Sequence, residues 1–180
     1  MIRMKKHDYI TIIGTNARRI KAKELRRYGP VIAVSNRELD LKHIDYVWTR
    51  EEKDLLWYLQ HRPSPVQCVT IPELYKKYVF YDQVHSFPPI SPEFNLTLDV
   101  NTDDQTLTLL SAIGLASKTV MLVGYNIQHP KTLKDLRSII MLHPDIKFYF
   151  LCNPPKTKQL NYCSNAECVL LKDIRKIKHG

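Results

Sequence analysis

Short β-branched apolar runs alternate along the chain with longer stretches in which apolar residues recur every three to four positions. Tyr9-Ile-Thr-Ile-Ile13 is the first such run, and it ends at Gly14 before Thr15-Asn16 and a helical stretch from Arg18 to Tyr28. Gly29-Pro30 breaks that helix. Val31-Ile-Ala-Val34 then reads as a strand covered on both faces and closed by Ser35-Asn36. Tyr46-Val-Trp48 predicts a third strand, and Thr49 with Glu52 has the capping-box spacing of a helix reaching about Gln60. Gln67 to Ile71 predicts a fourth strand. Thr70 and Glu73, around Pro72, repeat the capping spacing for a short helix to Tyr78.

From Val79 to Phe94 no period holds, and the prolines, aromatic rings and His85 in that stretch predict an irregular surface insertion. Thr102 and Gln105 have capping-box spacing before Thr106–Ala116, which is apolar on most sides, as a helix wedged against a sheet must be. Lys118 to Val123 is the strongest strand pattern and stops at Gly124, with Asn126 beyond it. Leu133, Leu136 and Ile140 share a helical face before Pro144, and Ile146 to Leu151 is a further strand. Strands separated by helices of this length need right-handed crossovers, which predicts an α/β protein with an open, mainly parallel sheet sandwiched by helices, Rossmann-like. At 180 residues one domain spanning 1–180 is expected, with the irregular insertion at about 79–94 and a basic C-terminal segment at 170–180.

Composition narrows this only in part. A hydrophobic share of 44% and a mean hydropathy of -0.30 fit a chain that can bury a core. No apolar run approaches the roughly 18 residues of a membrane helix, and the basic N-terminus leads straight into a strand pattern, so a cytoplasmic protein is expected. The 27 Lys and Arg against 18 Asp and Glu leave +9, concentrated in Arg18–Arg27 and Lys172–Lys178, which suits either solvated faces or an anion-binding surface. Cys68, Cys152, Cys163 and Cys168 contain no CxxC pair, so they read as reduced thiols; a zinc set with His143 does not have the spacing of a known ligand knuckle, and no metal is expected. Leu171, Ile174 and Ile177 recur at helical spacing in the tail, with cations between them, which suits docking on the domain itself before any partner.

In open α/β sheets ligands bind beyond the carboxyl ends of the strands, where loops diverge and helix N-termini offer free N–H groups. That rule nominates Gly14, Thr15 and Asn16, Ser35 and Asn36, Asp103 and Asp104, and Gly124 and Asn126. Glycine lets a backbone approach a phosphate or ribose, and asparagine can donate to and accept from a base edge or a sugar. The same residues also serve ordinary turns, and neither GxGxxG, GxxxxGK[ST] nor GxSxG is present.

The runs Ile-Ile-Gly14-Thr-Asn, Val-Ile-Ala-Val-Ser-Asn36 and Ile-Asp45-Tyr46-Val-Trp48-Thr, with Thr106 to Ile127 further on, resemble the Rossmann-like sialyltransferase and motility-associated glycosyltransferase group, which includes the pterin diphosphokinase-like domains. The resemblance covers about half the chain. It implies a pocket for a nucleotide-activated donor, commonly a nucleotide sugar, with Gly14, Asn36 and Gly124 matching by position. Where the group carries Gly-Asn-Gly-Pro-Ser this chain has Gly14-Thr15-Asn16-Ala17-Arg18, and where it carries Gly-x-Asp the acid is replaced by Asn126. Thr102-Asp103-Asp104 places two carboxylates at a helix start, where they repel a phosphate unless protonated or bound to a metal.

Together these features lead to the expectation of a glycosyltransferase-like protein whose nucleotide-sugar donor is held by Gly14, Thr15, Asn16, Ser35, Asn36, Gly124 and Asn126, with Asp104 or His129 as the acceptor-activating base and no certain cofactor. The alternative is a catalytically depleted Rossmann-like module that serves as an assembly component, as in a phage virion, or as a nucleic-acid-binding accessory through its basic surface.

Overall fold

The computed structural model describes residues 6–15, 22–60, 66–86, 102–125, 127, 129–151, 160 and 163–177. Among these residues eight parallel strands form one sheet: β1 (His7–Ile13), β2 (Val31–Val34), β3 (Tyr46–Thr49), β4 (Gln67–Thr70), β5 (Val84–Ser86), β6 (Ala116–Val123), β7 (Lys147–Leu151) and β8 (Ala166–Val169). Their order across the sheet is β5-β4-β3-β2-β1-β6-β7-β8. The chain steps outward from β1 to β5, returns to the far side of β1 at β6, and steps outward again. This reversal makes the β1/β6 boundary the topological switch point of an open, doubly wound α/β sandwich.

Helices cover both faces. α1 (Ala22–Leu25, continued by a 3₁₀ turn at Arg26–Tyr28), α2 (Glu52–Gln60) and α3 (Pro72–Tyr78) contribute Leu25, Leu55, Tyr58, Leu59, Leu74 and Tyr75 to a core over Ile13, Ala33, Val47, Cys68 and Val123. α4 (Asp104–Leu115) and α5 (Pro130–Met141) pack Leu109, Leu115, Leu136 and Ile139 on the opposite face, over Ile10, Ile12, Ile32, Trp48, Val120, Phe148 and Phe150. Right-handed crossovers require this division: connections running one way along the sheet pass over one face, and those running the other way pass over the other. Trp48, Phe148 and Phe150 are each no more than 1% exposed, and burying side chains of this size contributes about 1.5–3 kcal/mol apiece.

α4 also buries Thr106, Thr108 and Ser111 completely, and their hydroxyls are satisfied locally. Thr108 donates to the Asp104 carbonyl at 2.6 Å, and Ser111 to the Leu107 carbonyl at 3.0 Å. Back-bonding of this kind lets a helix face made of short hydroxyl residues lie against a sheet without stranding polar groups. Gly29 has φ 141°, and a Cβ there would lie 2.6 Å from the Tyr9 carbonyl oxygen, so the break before β2 needs glycine.

Several sequence expectations change. The supposed insertion at 79–94 contains β5, which pairs in parallel with β4 (Cys68↔Val84, Thr70↔Ser86); three residues are too few to show a period, and positions 87–94 lie outside the described residues. β8 shows no distinct pattern in sequence because its side chains are only partly buried at the sheet edge. The tail forms a 3₁₀ helix at Leu171–Lys176, and Ile174 and Ile177 join the core on the α1–α3 face.

The three capping boxes also form differently. Thr49 accepts from the Glu51 amide at 3.2 Å, while Glu52 turns to Lys77 and Tyr78 of α3. α3 starts from Ile71 without a side-chain cap, since the Thr70 hydroxyl donates to the Thr49 carbonyl at 2.7 Å. At α4 the cap is Asp103, one residue past Thr102, because its longer acceptor reaches the Thr106 amide at 2.9 Å.

Candidate functional site

β1 and β6 leave the sheet side by side. Ile13 stands opposite Val123, and the Gly14 amide donates to the Val123 carbonyl at 2.8 Å, so the two glycine-bearing exits share one edge. Gly124 has φ 70°, a conformation that costs a side-chain-bearing residue roughly 1–2 kcal/mol. Gly14 is needed for a different reason. A Cβ there would lie 2.7 Å from the Gly124 carbonyl oxygen, 2.8 Å from Gln105 Oε1 and 3.0 Å from the Tyr125 ring. The space against Gly14 is therefore filled by the protein itself, by Gln105, Tyr125 and the Gly124 backbone. The Tyr125 hydroxyl donates to the Gln105 carbonyl at 3.0 Å, and burial, helped by the nearby Asp103 charge, pushes this phenol well above its ordinary pKa. It stays protonated and acts as a donor.

The N-terminus of α4 carries two acids that turn to different partners. Asp103 turns toward α5: its carboxylate accepts from the Thr106 amide, the Thr106 hydroxyl at 3.1 Å and the Thr132 hydroxyl at 2.9 Å. Three donors disperse its charge. The Thr132 hydroxyl also lies 3.4 Å from Nδ1 of His129, the exposed residue preceding α5. Asp104 faces the other way and meets Arg50, which follows β3, at 2.8 Å. Its carboxyl is raised above the ordinary range chiefly by burial, with Asp103 and Glu51 adding to the effect and Arg50 opposing it. Asp104 and His129, the two candidate bases, thus stand on opposite sides of the α4 terminus rather than together.

Ser35 and Asn36 lie at the next exit and are held from below by α2. The Ser35 hydroxyl donates to Asp54 Oδ2 at 3.2 Å, and the Asn36 amide donates to the Tyr58 hydroxyl at 2.9 Å. The Asn36 side chain accepts from the Glu38 amide at 2.9 Å, closing a local turn, and Arg37 places Nε and Nη2 at 3.0 and 2.7 Å from Asp54 Oδ1. Thr15 is exposed beside Gly14, while Asn16 and Asn126 lie outside the described residues. Among the described residues no group of three or more His, Cys, Asp or Glu is placed to hold a metal, and Cys152 lies outside them. Cys68 and Cys163 are buried free thiols; burial raises the Cys68 thiol to about 12, which makes it unreactive.

Sequence reasoning missed Arg50, Tyr58, Gln105, Tyr125 and Thr132. Their roles come from contacts between elements distant in sequence, for which no local spacing is a signal. Among the described residues no helix is long and apolar enough to cross a membrane. The fold defines the class, an open Rossmann-like α/β sandwich with its topological switch point between β1 and β6. No protein-family model, no curated protein and no solved structure matches the chain.

Proposed function

We propose that the protein binds a nucleotide-type ligand at the β1/β6 exits, and that the ligand is the activated donor of a glycosyl-transfer reaction. The observation that carries this reading is the shared edge itself, where two parallel neighbours end in glycines and the N-termini of α4 and α5 converge on the same crevice. In this reading a phosphate lies against the Thr15 and Gly124 backbone, because Gln105 and Tyr125 already occupy the space next to Gly14. Ser35 and Asn36 lie at the neighbouring β2 exit. His129, held by Thr132, is the group available to take a proton from an acceptor hydroxyl.

The test is calorimetric titration with cytidine-, uridine- and guanosine-linked sugars, together with a donor-hydrolysis assay. Saturable binding to one of the three, weakened by Asn36→Ala, is the expected result. Hydrolysis lost in His129→Ala with binding retained would place the proton transfer there. The second reading, a noncatalytic module, is favoured by the internal satisfaction of Ser35, Asn36 and Asp103, and silence toward all three donors would select it.

A further inference from the structure

We propose that Asp103 and Thr132 are positioning residues for His129: the hydrogen-bond chain from Asp103 through Thr132 to His129 fixes the imidazole as its Nδ1–H tautomer and leaves Nε2 as the basic nitrogen. The tautomer rests on the geometry of the three side chains, and only its use on an acceptor rests on the glycosyl-transfer reading above.

Thr132 is the link. It is buried in the first turn of α5 and has one hydroxyl proton to donate. That proton goes to Asp103 Oδ2 at 2.9 Å. Asp103 caps α4, where Oδ1 accepts from the Thr106 amide at 2.9 Å and Oδ2 from the Thr106 hydroxyl at 3.1 Å, so donors surround the carboxylate. With its proton directed at Asp103, the Thr132 hydroxyl oxygen meets His129 Nδ1 at 3.4 Å as an acceptor. Nδ1 must carry a hydrogen for this contact to be a hydrogen bond, and the neutral ring then has its lone pair on Nε2.

The placement of His129 agrees with this role. It precedes Pro130 at the start of α5, and its side chain makes no cap bond; the ring meets the Thr132 hydroxyl three residues on instead. The residue is exposed, and among the described residues Nε2 has no hydrogen-bond partner. In the transfer step the acceptor oxygen bonds to the anomeric carbon of the sugar, and the bond from that carbon to the phosphate oxygen breaks, its electron pair leaving with the nucleotide. The acceptor's proton passes to Nε2. Nδ1–H stays on Thr132 throughout, and Asp103 stabilises the imidazolium through the Thr132 hydroxyl without taking its proton.

Two substitutions act on the chain in different ways. In Asp103→Asn the side-chain oxygen stays on the Thr106 amide, as in any asparagine cap, and the NH2 group takes the place of Oδ2. It donates to Thr132, whose own proton turns to Nδ1, and the tautomer reverses to Nε2–H. Thr132→Val keeps the shape and removes the link.

The experiment is nitrogen NMR of the neutral His129 ring in the full chain, its signals assigned by their loss in His129→Gln. Wild type is compared with Asp103→Asn, Thr132→Val and Thr132→Ser, each checked by circular dichroism. Nδ1–H is expected in wild type and Thr132→Ser, Nε2–H in Asp103→Asn, and a mixture in Thr132→Val. Nε2–H in wild type, or one tautomer shared by wild type, Asp103→Asn and Thr132→Val, overturns the proposal. Should Thr132→Val fail to fold, wild type and Asp103→Asn still decide. Hydrolysis of cytidine-, uridine- and guanosine-linked sugars is the second readout. Asp103→Asn is expected to slow it about a hundredfold with donor affinity unchanged, and Thr132→Ser to recover about tenfold over Thr132→Val. Equal hydrolysis in wild type and Asp103→Asn overturns the positioning role while leaving the donor site standing. The expected tautomers with no donor bound or hydrolysed keep the hydrogen-bond chain and remove the glycosyl-transfer reading.

Discussion

The β1/β6 exits and the β2 exit lie on one edge of one sheet and carry similar residues, yet they use them in opposite ways. At the first pair Gly14 removes a side chain so that its backbone can lie close to Gln105, Tyr125 and the neighbouring strand, and Gly124 supplies a positive φ. At the second, Ser35 and Asn36 keep their polar groups, which Asp54, Tyr58 and the Glu38 amide bind. A turn residue at a strand end is thus a candidate for binding only once its internal partners have been counted, and by that count the open part of the edge lies toward Gly124 and the exposed Thr15.

This contrast can be broken by mutation. The largest effect is expected for Gly14→Ala, whose Cβ would lie 2.7 Å from a backbone oxygen; overpacking of this kind costs about 3 kcal/mol, read as a lower urea midpoint with unchanged slope. Asp103→Ala should follow at about 2 kcal/mol, because it removes a helix cap and the acceptor of two hydroxyls. At the β2 exit, Tyr58→Phe should cost about 1 kcal/mol by stranding the Asn36 amide. Asn36→Ala, which removes one exposed turn contact, should stay within about 0.5 kcal/mol.

Acid separates the edge from the rest of the sheet. Burial lowers the pKa of His85 and of His143 below the ordinary 6.5, so both favour the neutral form when folded. Below about pH 6.5 the unfolded chain takes up protons that the folded chain resists, and stability should fall as the solution is acidified through that range. His85→Gln should flatten part of that slope in thermal melts recorded against pH. Asp104 works with the opposite sign, because its raised folded pKa makes the native state bind a proton more readily than the unfolded one. Its contribution grows as pH falls toward the carboxylate range, and Asp104→Asn should be slightly stabilising near neutrality. The effect is small because the side chain is 40% exposed and its charge is screened by solvent.

Much of the fold was legible because strand and helix periods alternate. β1, β2, β3, β4, β6 and β7 all fall on apolar runs, and the glycines after β1 and β6 are visible as terminators. β5 and β8 were not, since three or four residues at a sheet edge, half covered, carry almost no pattern. The nominated edge was legible from topology, but the direction of each side chain was not. Two adjacent aspartates look equivalent in sequence, and only the helix geometry sends Asp103 to Thr132 and Asp104 to Arg50.

Ligand binding at the β1/β6 exits can be followed by NMR at the backbone amides of Gly14, Thr15 and Gly124 during titration with a cytidine-, uridine- or guanosine-linked sugar. Saturable shifts are expected at these three positions at one common affinity, with the amides of the exposed Met141 and Leu142 at the far end of α5 unmoved. Amides at 14, 15 and 124 that stay in place while others move, or that do not respond to any of the donors, would contradict binding at these exits.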